Sequence, residues 1–232
     1  RHLKDGIISG MVLGDGYLEK NQPRLSLTHC LEQLHYLEFK ISIANQLGFS
    51  CRCFRNTVKR TNLGLKSYCS GSITGLDIHK YYGYGLTDLL QGLNPLGLLI
   101  WWLDDGCLSI HQKTSGSVSR FGYLNTQGYG LDGNEAIAQI LFQRFGLEST
   151  IHVDTKSGFA KQDHYRLYFN AINMRRLIDL VREFIPWIPR NMLYKLNMQY
   201  VLELWHGKNT EEEYISEEIS FLNSNDAFSK AI

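Results

Sequence analysis

The sequence predicts an α+β fold of two pseudo-symmetric halves, each in the order helix, hairpin, helix, hairpin, helix. One observation is a repeat: an apolar run of helical length that ends in Asp-Gly occurs at 6–16 and again at 96–106. The other is that each run precedes segments with the alternation of strands and then segments with helical spacing. Asp15 and Asp105 lie 90 positions apart, so the chain indicates an internal duplication.

The first half is assigned to 1–93, and its elements follow from periodicity and from glycine stop signals. In order, we predict a helix over 3–14, a hairpin of Tyr17 to Lys20 and Arg24 to His29, a helix carrying Leu34, Leu37, Ile41, Ala44 and Leu47 that Gly48 ends, a second hairpin of Phe49 to Arg60 and Leu65 to Ser72, and one or two short helices within 77–93.

The second half, 94–207, repeats this plan, and an acidic tail follows at 208–232. We predict a helix over 95–105, strands near Cys107 to His111 and Val118 to Asn125, a helix with Ile137, Ile140, Leu141 and Phe145 that Gly146 ends, strands near Glu148 to Asp154 and His164 to Phe169, a helix with Leu177 to Ile185 before Pro186, and a last helix from about Met192 to His206. The tail is expected to be a short amphipathic helix or a loosely held segment.

Composition restricts the class of protein. The chain has 232 residues and 44% hydrophobic residues, and no apolar run approaches the roughly 18 residues that span a bilayer. Five cysteines without zinc spacing predict reduced thiols in an intracellular protein. The sequence does not decide between an organelle matrix and the cytoplasm. The net charge is +1, but six acids and one base lie in 211–232. The remaining 23 basic and 17 acidic residues give the body a charge of +6, which favours a nucleic-acid partner.

The two Asp-Gly endings are the strongest functional signal. Glycine commonly ends a helix, but a carboxylate in the last turn faces the negative end of the helix dipole. Two such carboxylates favour a cation, and oxygen ligands of this kind suit Mg²⁺. The small-xxx-small pair Gly10 and Gly14 would let two helices approach closely and bring Asp15 and Asp105 together. The alternative is two buried helices with exposed turns, because Asp-Gly is a frequent turn dipeptide.

The two stretches resemble the paired motifs of LAGLIDADG homing endonucleases. Asp15-Gly16 and Asp105-Gly106 match the closing Asp-Gly, and the segment 101–106 is similar to a Trp-x-x-Asp-Asp-Gly variant. Ile100 departs from the motif, which usually has glycine there. The resemblance implies a monomer with its motif helices at the centre and two antiparallel sheets that form a DNA-binding saddle. It also implies a staggered double-strand cut that depends on Mg²⁺ or Mn²⁺.

The resemblance also implies site residues. Asp15 and Asp105 would bind the metal ions, and the carbonyls of Gly14 and Asp104 would add ligands. His29 and Gln127 would stand near the nucleophilic water, although either is equally explained as an ordinary polar residue at a strand end. Lys195 is the expected basic residue of the second half, and Lys80 is a weaker candidate for the first.

Residues of the predicted strands are expected to contact DNA. Five bases without an acid occur between 52 and 66, and the alternation of Leu25 and Leu27 leaves one face of their strand open to a ligand. Because a strand has two faces, the pattern does not decide which bases face DNA. The expected set is Arg24, Ser26, Thr28, Arg52, Arg55, Lys59, Arg60, Lys66, Arg120, Lys161 and Arg166.

Two rival functions use the same fold. One is an RNA-binding maturase that assists intron splicing, with intron RNA as partner. The other is a transcription regulator that kept only the scaffold, but such a protein would be expected to have lost at least one of the two acids. The sequence therefore favours an intron-encoded endonuclease that acts on double-stranded DNA, as a monomer and without a membrane.

Overall fold

The computed structural model describes residues 2–61, 64–112, 114, 118–154, 164–197 and 201. Its helices are α1 (His2–Leu13), α2 (Leu34–Gln46), α3 (Leu86–Gly92), α4 (Pro95–Asp105), α5 (Gly130–Phe145) and α6 (Ala171–Val181). Its strands are β1 (Gly16–Leu18), β2 (Arg24–Cys30), β3 (Ser50–Thr61), β4 (Gly64–Thr74), β5 (Gly106–Gln112), β6 (Val118–Leu124), β7 (Thr150–Asp154) and β8 (His164–Phe169). No described helix is long and apolar enough to cross a membrane.

The strands form two antiparallel sheets of identical plan. The first has the order β1-β2-β4-β3 and the second β5-β6-β8-β7. Gly16 pairs with Leu27 in the first sheet, and Gly106 pairs with Leu124 in the second. The two motif helices therefore lead into their sheets at matching register positions. The predicted α+β fold of two similar halves is confirmed.

The centre of the molecule is the contact between α1 and α4, where glycines replace side chains. A Cβ at Gly10 would overlap the carbonyl of Gly97, and one at Gly97 would overlap the carbonyl of Gly6. One helical turn after Gly10, a Cβ at Gly14 would overlap the side chain of Asp104. The predicted close approach at Gly10 and Gly14 is confirmed, and Gly97 is the matching small residue of the second helix.

Helices cover one face of each sheet. In β2, Leu25 and Leu27 are fully buried, whereas Ser26 between them is half-buried and Thr28 after them is exposed. Along α4, every residue from Leu96 to Leu103 is buried, as expected of a helix at the centre of a core. Asn94 caps this helix, because its side chain accepts a hydrogen bond from the Gly97 amide.

The predicted last helix does not begin at Met192. Arg190–Lys195 forms a short 3₁₀ turn, and Leu196 after it is extended with φ −107° and ψ 154°. One cause is that the Lys195 carbonyl accepts a hydrogen bond from Trp102 Nε1 at 2.9 Å, which ties this turn to α4. The expected start at Met192 is therefore wrong, and 198–200 and 202–232 lie outside the described residues.

Candidate active site

Three carboxylates meet where α1 and α4 end. Asp15 follows α1, and Asp104 and Asp105 end α4. The backbone amide of Asp15 donates to Asp104 Oδ2 at 3.0 Å, so the two halves are hydrogen-bonded across this point. Desolvation and then the Asp104 carboxylate raise the pKa of Asp15, although Lys40 and Lys195 act in the opposite direction. The helix ends thus hold like charges together, as the two Asp-Gly motifs predicted.

Asp105 is the second acid of this cluster and is half-buried. Burial, followed by the neighbouring Asp104 and Asp15 carboxylates, raises its pKa to about 7. Its Oδ2 accepts a hydrogen bond from Trp101 Nε1 at 3.1 Å. A carboxylate whose charged form is disfavoured in this way gains when a cation binds beside it.

Asp104 is buried and fully paired. Its side chain is 0% exposed, as is that of Lys40. The Lys40 ammonium lies 2.5 Å from Oδ1 and 2.7 Å from Oδ2, and the Tyr36 hydroxyl donates to Oδ1 at 2.8 Å. Desolvation and the Asp104 charge raise the pKa of Tyr36 well above its usual range, so this hydroxyl remains a donor.

His29 connects Lys40 to Asp15. Its Nε2 lies 3.3 Å from the Lys40 ammonium, and its Nδ1 lies 3.5 Å from Asp15 Oδ2. Burial, followed by the Lys40 charge, lowers its pKa to about 4, so the ring is neutral at pH 7. Because an ammonium only donates, Nε2 is the acceptor and Nδ1 carries the proton that faces Asp15.

Lys195 approaches from the second half. Its ammonium donates to the backbone carbonyl of Asp104 at 2.6 Å, which adds a positive charge at the end of α4. Burial lowers its pKa, and the three carboxylates partly oppose that effect. The predicted basic residue of the second half therefore lies beside the acids. The carbonyl of Asp104, expected as a metal ligand, already accepts this hydrogen bond.

Two expected residues lie elsewhere. The ammonium of Lys80 pairs with Asp5 in the first turn of α1, which is roughly 15 Å along the helix axis from Asp15. Gln127 bonds Asn125 Oδ1 at 3.5 Å. By register, the second-half position that matches His29 is Thr126, which donates to Asn134 Oδ1 at 2.5 Å. Neither Lys80 nor Gln127 contacts the carboxylates in the described part of the chain.

Lys40 and Tyr36 were missed by sequence reasoning. They face the core from α2 together with Leu37, Ile41 and Ala44. A lysine three residues after Leu37 and four before Ala44 is a signal in itself, since a lysine on an apolar helix face needs a buried partner.

The cluster suits a hard divalent cation. Asp15, His29 and Asp104 each offer a ligand atom, and these atoms lie within 4.8 Å of one another. Asp105 lies outside this three-residue group, but its pKa is raised by burial and then by the Asp104 and Asp15 carboxylates, so a cation beside it would be favourable. Carboxylate oxygens are the ligands that Mg²⁺ and Mn²⁺ prefer, so the residues present fit such an ion.

The open face of the first sheet is a groove rich in hydroxyl groups. Four residues expected to contact DNA line it, namely Arg24, Ser26, Thr28 and Arg52. The others that line it include Ser50, Phe54, Ser70, Ser72 and Thr74. The side chains of Arg55, Lys59, Arg60 and Lys66 lie outside the described part of the structure, although their backbone belongs to β3 and β4.

The open face of the second sheet is aromatic instead. Tyr123 and Tyr168 are cross-strand partners, and His152 stacks on Tyr168 with ring centroids 4.6 Å apart. The guanidinium of Arg166 lies 3.9 Å from the centroid of the Tyr123 ring, so this expected contact residue is on the open face. Arg120 shares its strand side with the buried Gly122 and Leu124, opposite to Tyr123, and Lys161 lies outside the described residues.

Comparison with known proteins agrees with this architecture. The solved homing endonuclease I-WcaI, bound to its DNA recognition sequence, superposes with a TM-score of 0.63 at 20% identity, over 84% of this chain and 86% of that one. Protein RecA of Mycolicibacterium flavescens is 25% identical over 204 residues, which are 82% of this chain and 45% of that protein. Cytochrome b mRNA maturase bI2 of Debaryomyces hansenii is 29% identical over 109 residues, 47% of this chain and 35% of that protein.

The chain thus spans less than half the length of these curated relatives. The sequence profile of the LAGLIDADG DNA endonuclease family matches residues 5–177, which include both motif helices, both sheets and the whole carboxylate cluster. With this match over most of its length, the chain belongs to the LAGLIDADG DNA endonuclease family.

Proposed function

We propose that the chain is a site-specific endonuclease that makes a metal-dependent staggered cut in double-stranded DNA. The observation that carries the proposal is the meeting of Asp15 and Asp105, one from each half, at the end of the two central helices. Two polar or aromatic sheet faces, one from each half, accompany this cluster. One acid from each half is the arrangement that cutting two strands at one centre requires.

Asp15 and Asp105 would hold Mg²⁺ or Mn²⁺, with the carbonyl of Gly14 as a further oxygen ligand. Ions held there would supply positive charge that stabilises the attacking and leaving oxygens of a phosphodiester. Asp15 is the more accessible acid, since its side chain is 43% exposed. Both acids have raised pKa values, because burial and neighbouring carboxylates disfavour their charged forms. A bound cation would reduce that unfavourable interaction.

The other residues of the cluster orient these acids. His29 presents its Nδ1 proton to Asp15 and fixes the direction of that carboxylate. Trp101 does the same for Asp105 through its indole N–H. Lys195 places an ammonium at the last turn of α4, where it adds positive charge for a phosphate backbone.

The first sheet is suited to reading base edges. Thr28 and Ser72 present hydroxyls that donate or accept, whereas the Ser26 hydroxyl donates to Glu19 Oε1 at 2.5 Å and can only accept from a ligand. Arg52 adds a fork of donors that matches guanine in the major groove. Arg24 is held near Glu19, with 3.5 Å between Nη1 and Oε2. The groove therefore combines adaptable hydrogen bonding with a few cations, as a long recognition site needs.

A second candidate function is RNA binding, as in a splicing maturase. The specific observation is the aromatic surface of the second sheet. Proteins recognise unpaired nucleotides by stacking bases on aromatic side chains and on arginine, and Tyr123, His152, Tyr168 and Arg166 offer both. The similarity to a maturase over 109 residues supports this candidate, which is compatible with DNA cleavage by the same chain.

The test is digestion of intronless host DNA in Mg²⁺, with the new ends mapped by sequencing. We expect one discrete site with staggered ends, lost in Asp15→Asn and in Asp105→Asn while specific DNA binding remains. Asp132→Asn, an exposed acid of α5, is the matched control and should cut like the wild type. Cutting of both strands at the wild-type rate by either active-site variant would overturn the assignment.

A further inference from the structure

We propose that Asp104 is a positioning residue rather than a metal ligand, because the ammonium of Lys40 already occupies its carboxylate as a built-in cation. The inference deepens the proposed function, on which it rests, by separating the acids that bind metal from the acid that holds them in place. It concerns Asp104, Lys40, Tyr36 and His29, of which the motif pattern indicates only Asp104 and His29.

The hydrogen bonds of Asp104 are complete. Its Oδ1 contacts the Lys40 ammonium at 2.5 Å and the Tyr36 hydroxyl at 2.8 Å. Its Oδ2 contacts the same ammonium at 2.7 Å and accepts from the Asp15 amide at 3.0 Å. A carboxylate offers about four lone-pair sites, and four contacts occupy them. A metal ion could bind Asp104 only by displacing one of these donors.

The partners of Lys40 are complete as well. An ammonium has three N–H groups, and its three contacts are the two oxygens of Asp104 and Nε2 of His29 at 3.3 Å. The ammonium also lies 4.5 Å from the centre of the Tyr36 ring, on the aromatic surface that attracts cations. Lys40 has no exposed surface, so a buried charge is neutralised here without solvent.

The network controls Asp15 from two sides. Through Asp104 it fixes the backbone amide of Asp15, and through His29 it presents an N–H to the side chain of the same residue. It also joins the halves, because Asp104 belongs to α4 while Lys40 and Tyr36 belong to α2. Within the described part of the second half, the corresponding helix α5 contains no lysine, and its buried residues are Asn134, Ile137, Ile140 and Leu141.

The competing interpretation is a three-residue metal site, since Asp15, His29 and Asp104 lie close enough to share an ion. Calorimetric titration of the DNA-free protein with Mn²⁺ separates the two. The key variant is the double substitution Lys40→Met with Asp104→Asn, which removes both charges together and leaves the net charge of the site unchanged. Asp15→Asn is the comparison variant.

We expect the double variant to bind Mn²⁺ within about threefold of the wild type, and Asp15→Asn to bind it at least about tenfold more weakly. At saturating Mn²⁺ the double variant should still cut DNA about tenfold more slowly, because Asp15 is no longer held. A loss of Mn²⁺ affinity equal to that of Asp15→Asn would show that Asp104 is a ligand. Cutting by the double variant at the wild-type rate would show that Asp104 does not position Asp15.

A measurement on the wild type keeps the inference testable if the double variant does not fold. With ¹³C-labelled aspartate, Mg²⁺ should shift the carboxyl signals of Asp15 and Asp105 and leave that of Asp104 in place. A shift of the Asp104 signal as large as that of Asp15 would overturn the inference. Neither binding measurement contains DNA. A protein that cuts no DNA would therefore contradict the proposed function, while the role of Asp104 would still be tested by metal binding alone.

Discussion

The two halves of the molecule share one backbone plan and differ in nearly every side chain that matters for function. Each sheet has the same strand order, and each motif helix enters its sheet at a matching register. The open face of the first sheet carries mainly serine, threonine and arginine, whereas that of the second carries tyrosine and histidine together with Arg166. The backbone plan depends on strand hydrogen bonds and on the buried faces of the sheets. The side chains of the open faces contribute to neither, so they can differ between the halves.

The two halves also contribute different residues to the carboxylate cluster. The first half supplies the exposed Asp15 and the buried partners Lys40, Tyr36 and His29. The second supplies Asp104, Asp105 and Lys195. A symmetric pair of motifs has thus become an asymmetric centre, in which Lys40 neutralises one acid of the second motif. This difference shows that a duplicated motif predicts where a site lies better than it predicts what each copy does there.

The largest expected effect concerns the metal, on which both halves depend. Activity should require Mg²⁺ or Mn²⁺ and disappear in excess EDTA. Ca²⁺ should support DNA binding with little cutting, because its flexible coordination relaxes the octahedral geometry that Mg²⁺ imposes. Strand-resolved gels with each ion measure this for the two strands separately. Complete cleavage in EDTA would contradict a metal centre shared by the halves.

The contact between the halves should respond to added volume. Gly97→Ala places a Cβ against the carbonyl of Gly6 and forces α1 and α4 apart, so we expect the free energy of unfolding to fall by about 3 kcal/mol. Gly128→Ala is the control, because a Cβ there meets no atom within 4 Å. Urea unfolding measures both variants, and equal midpoints would mean that the glycine contact does not hold the halves together.

The acid of the second half should make stability depend on pH. The pKa of Asp105 is raised from 3.8 to about 7 in the fold, so the stability that its neutral form provides is present below pH 4 and lost as pH rises through 7. Each unit of that shift corresponds to about 1.4 kcal/mol, and solvent screening at this partly exposed carboxylate reduces the total by roughly half. In EDTA, Asp105→Asn should therefore stabilise the protein by about 2 kcal/mol at pH 8 and by nothing measurable at pH 4. Thermal unfolding across this range checks it, with Asp132→Asn as the control. A constant difference at every pH would contradict the assigned cause.

The smallest expected effects are changes in nucleic-acid affinity when one residue of either open face is substituted. Arg52→Ala should weaken duplex binding by about 1 kcal/mol and reduce the salt dependence by about one ion if it contacts a phosphate, or relax one base preference if it contacts a base. Tyr123→Ala should weaken binding of single-stranded RNA by about 1–3 kcal/mol with less effect on duplex DNA. Fluorescence anisotropy with both ligands at several salt concentrations measures this. Interchanged results would reverse the roles of the faces.

Sequence periodicity predicted most of the fold because apolar alternation and glycine stops are local signals. The repeated Asp-Gly motif predicted Asp15 and Asp105, and the family resemblance implied Lys195. Sequence reasoning missed Lys40 because its role depends on α2 packing against the end of α4, a contact between residues 64 positions apart. It misjudged the start of the last helix because the Trp102 indole captures a carbonyl of that segment. Counting along the strands matches Gln127 to His29, whereas the pairing register matches Thr126 to His29.

The central claim is that Asp15 and Asp105, one from each half, bind the metal while Lys40 withholds Asp104 from it. The most direct measurement is anomalous X-ray scattering from crystals of the protein with its DNA target and Mn²⁺. We predict manganese peaks beside the carboxylates of Asp15 and Asp105, with the ammonium of Lys40 still on both oxygens of Asp104. A manganese peak bound by Asp104 and His29, with Lys40 displaced, would contradict the account.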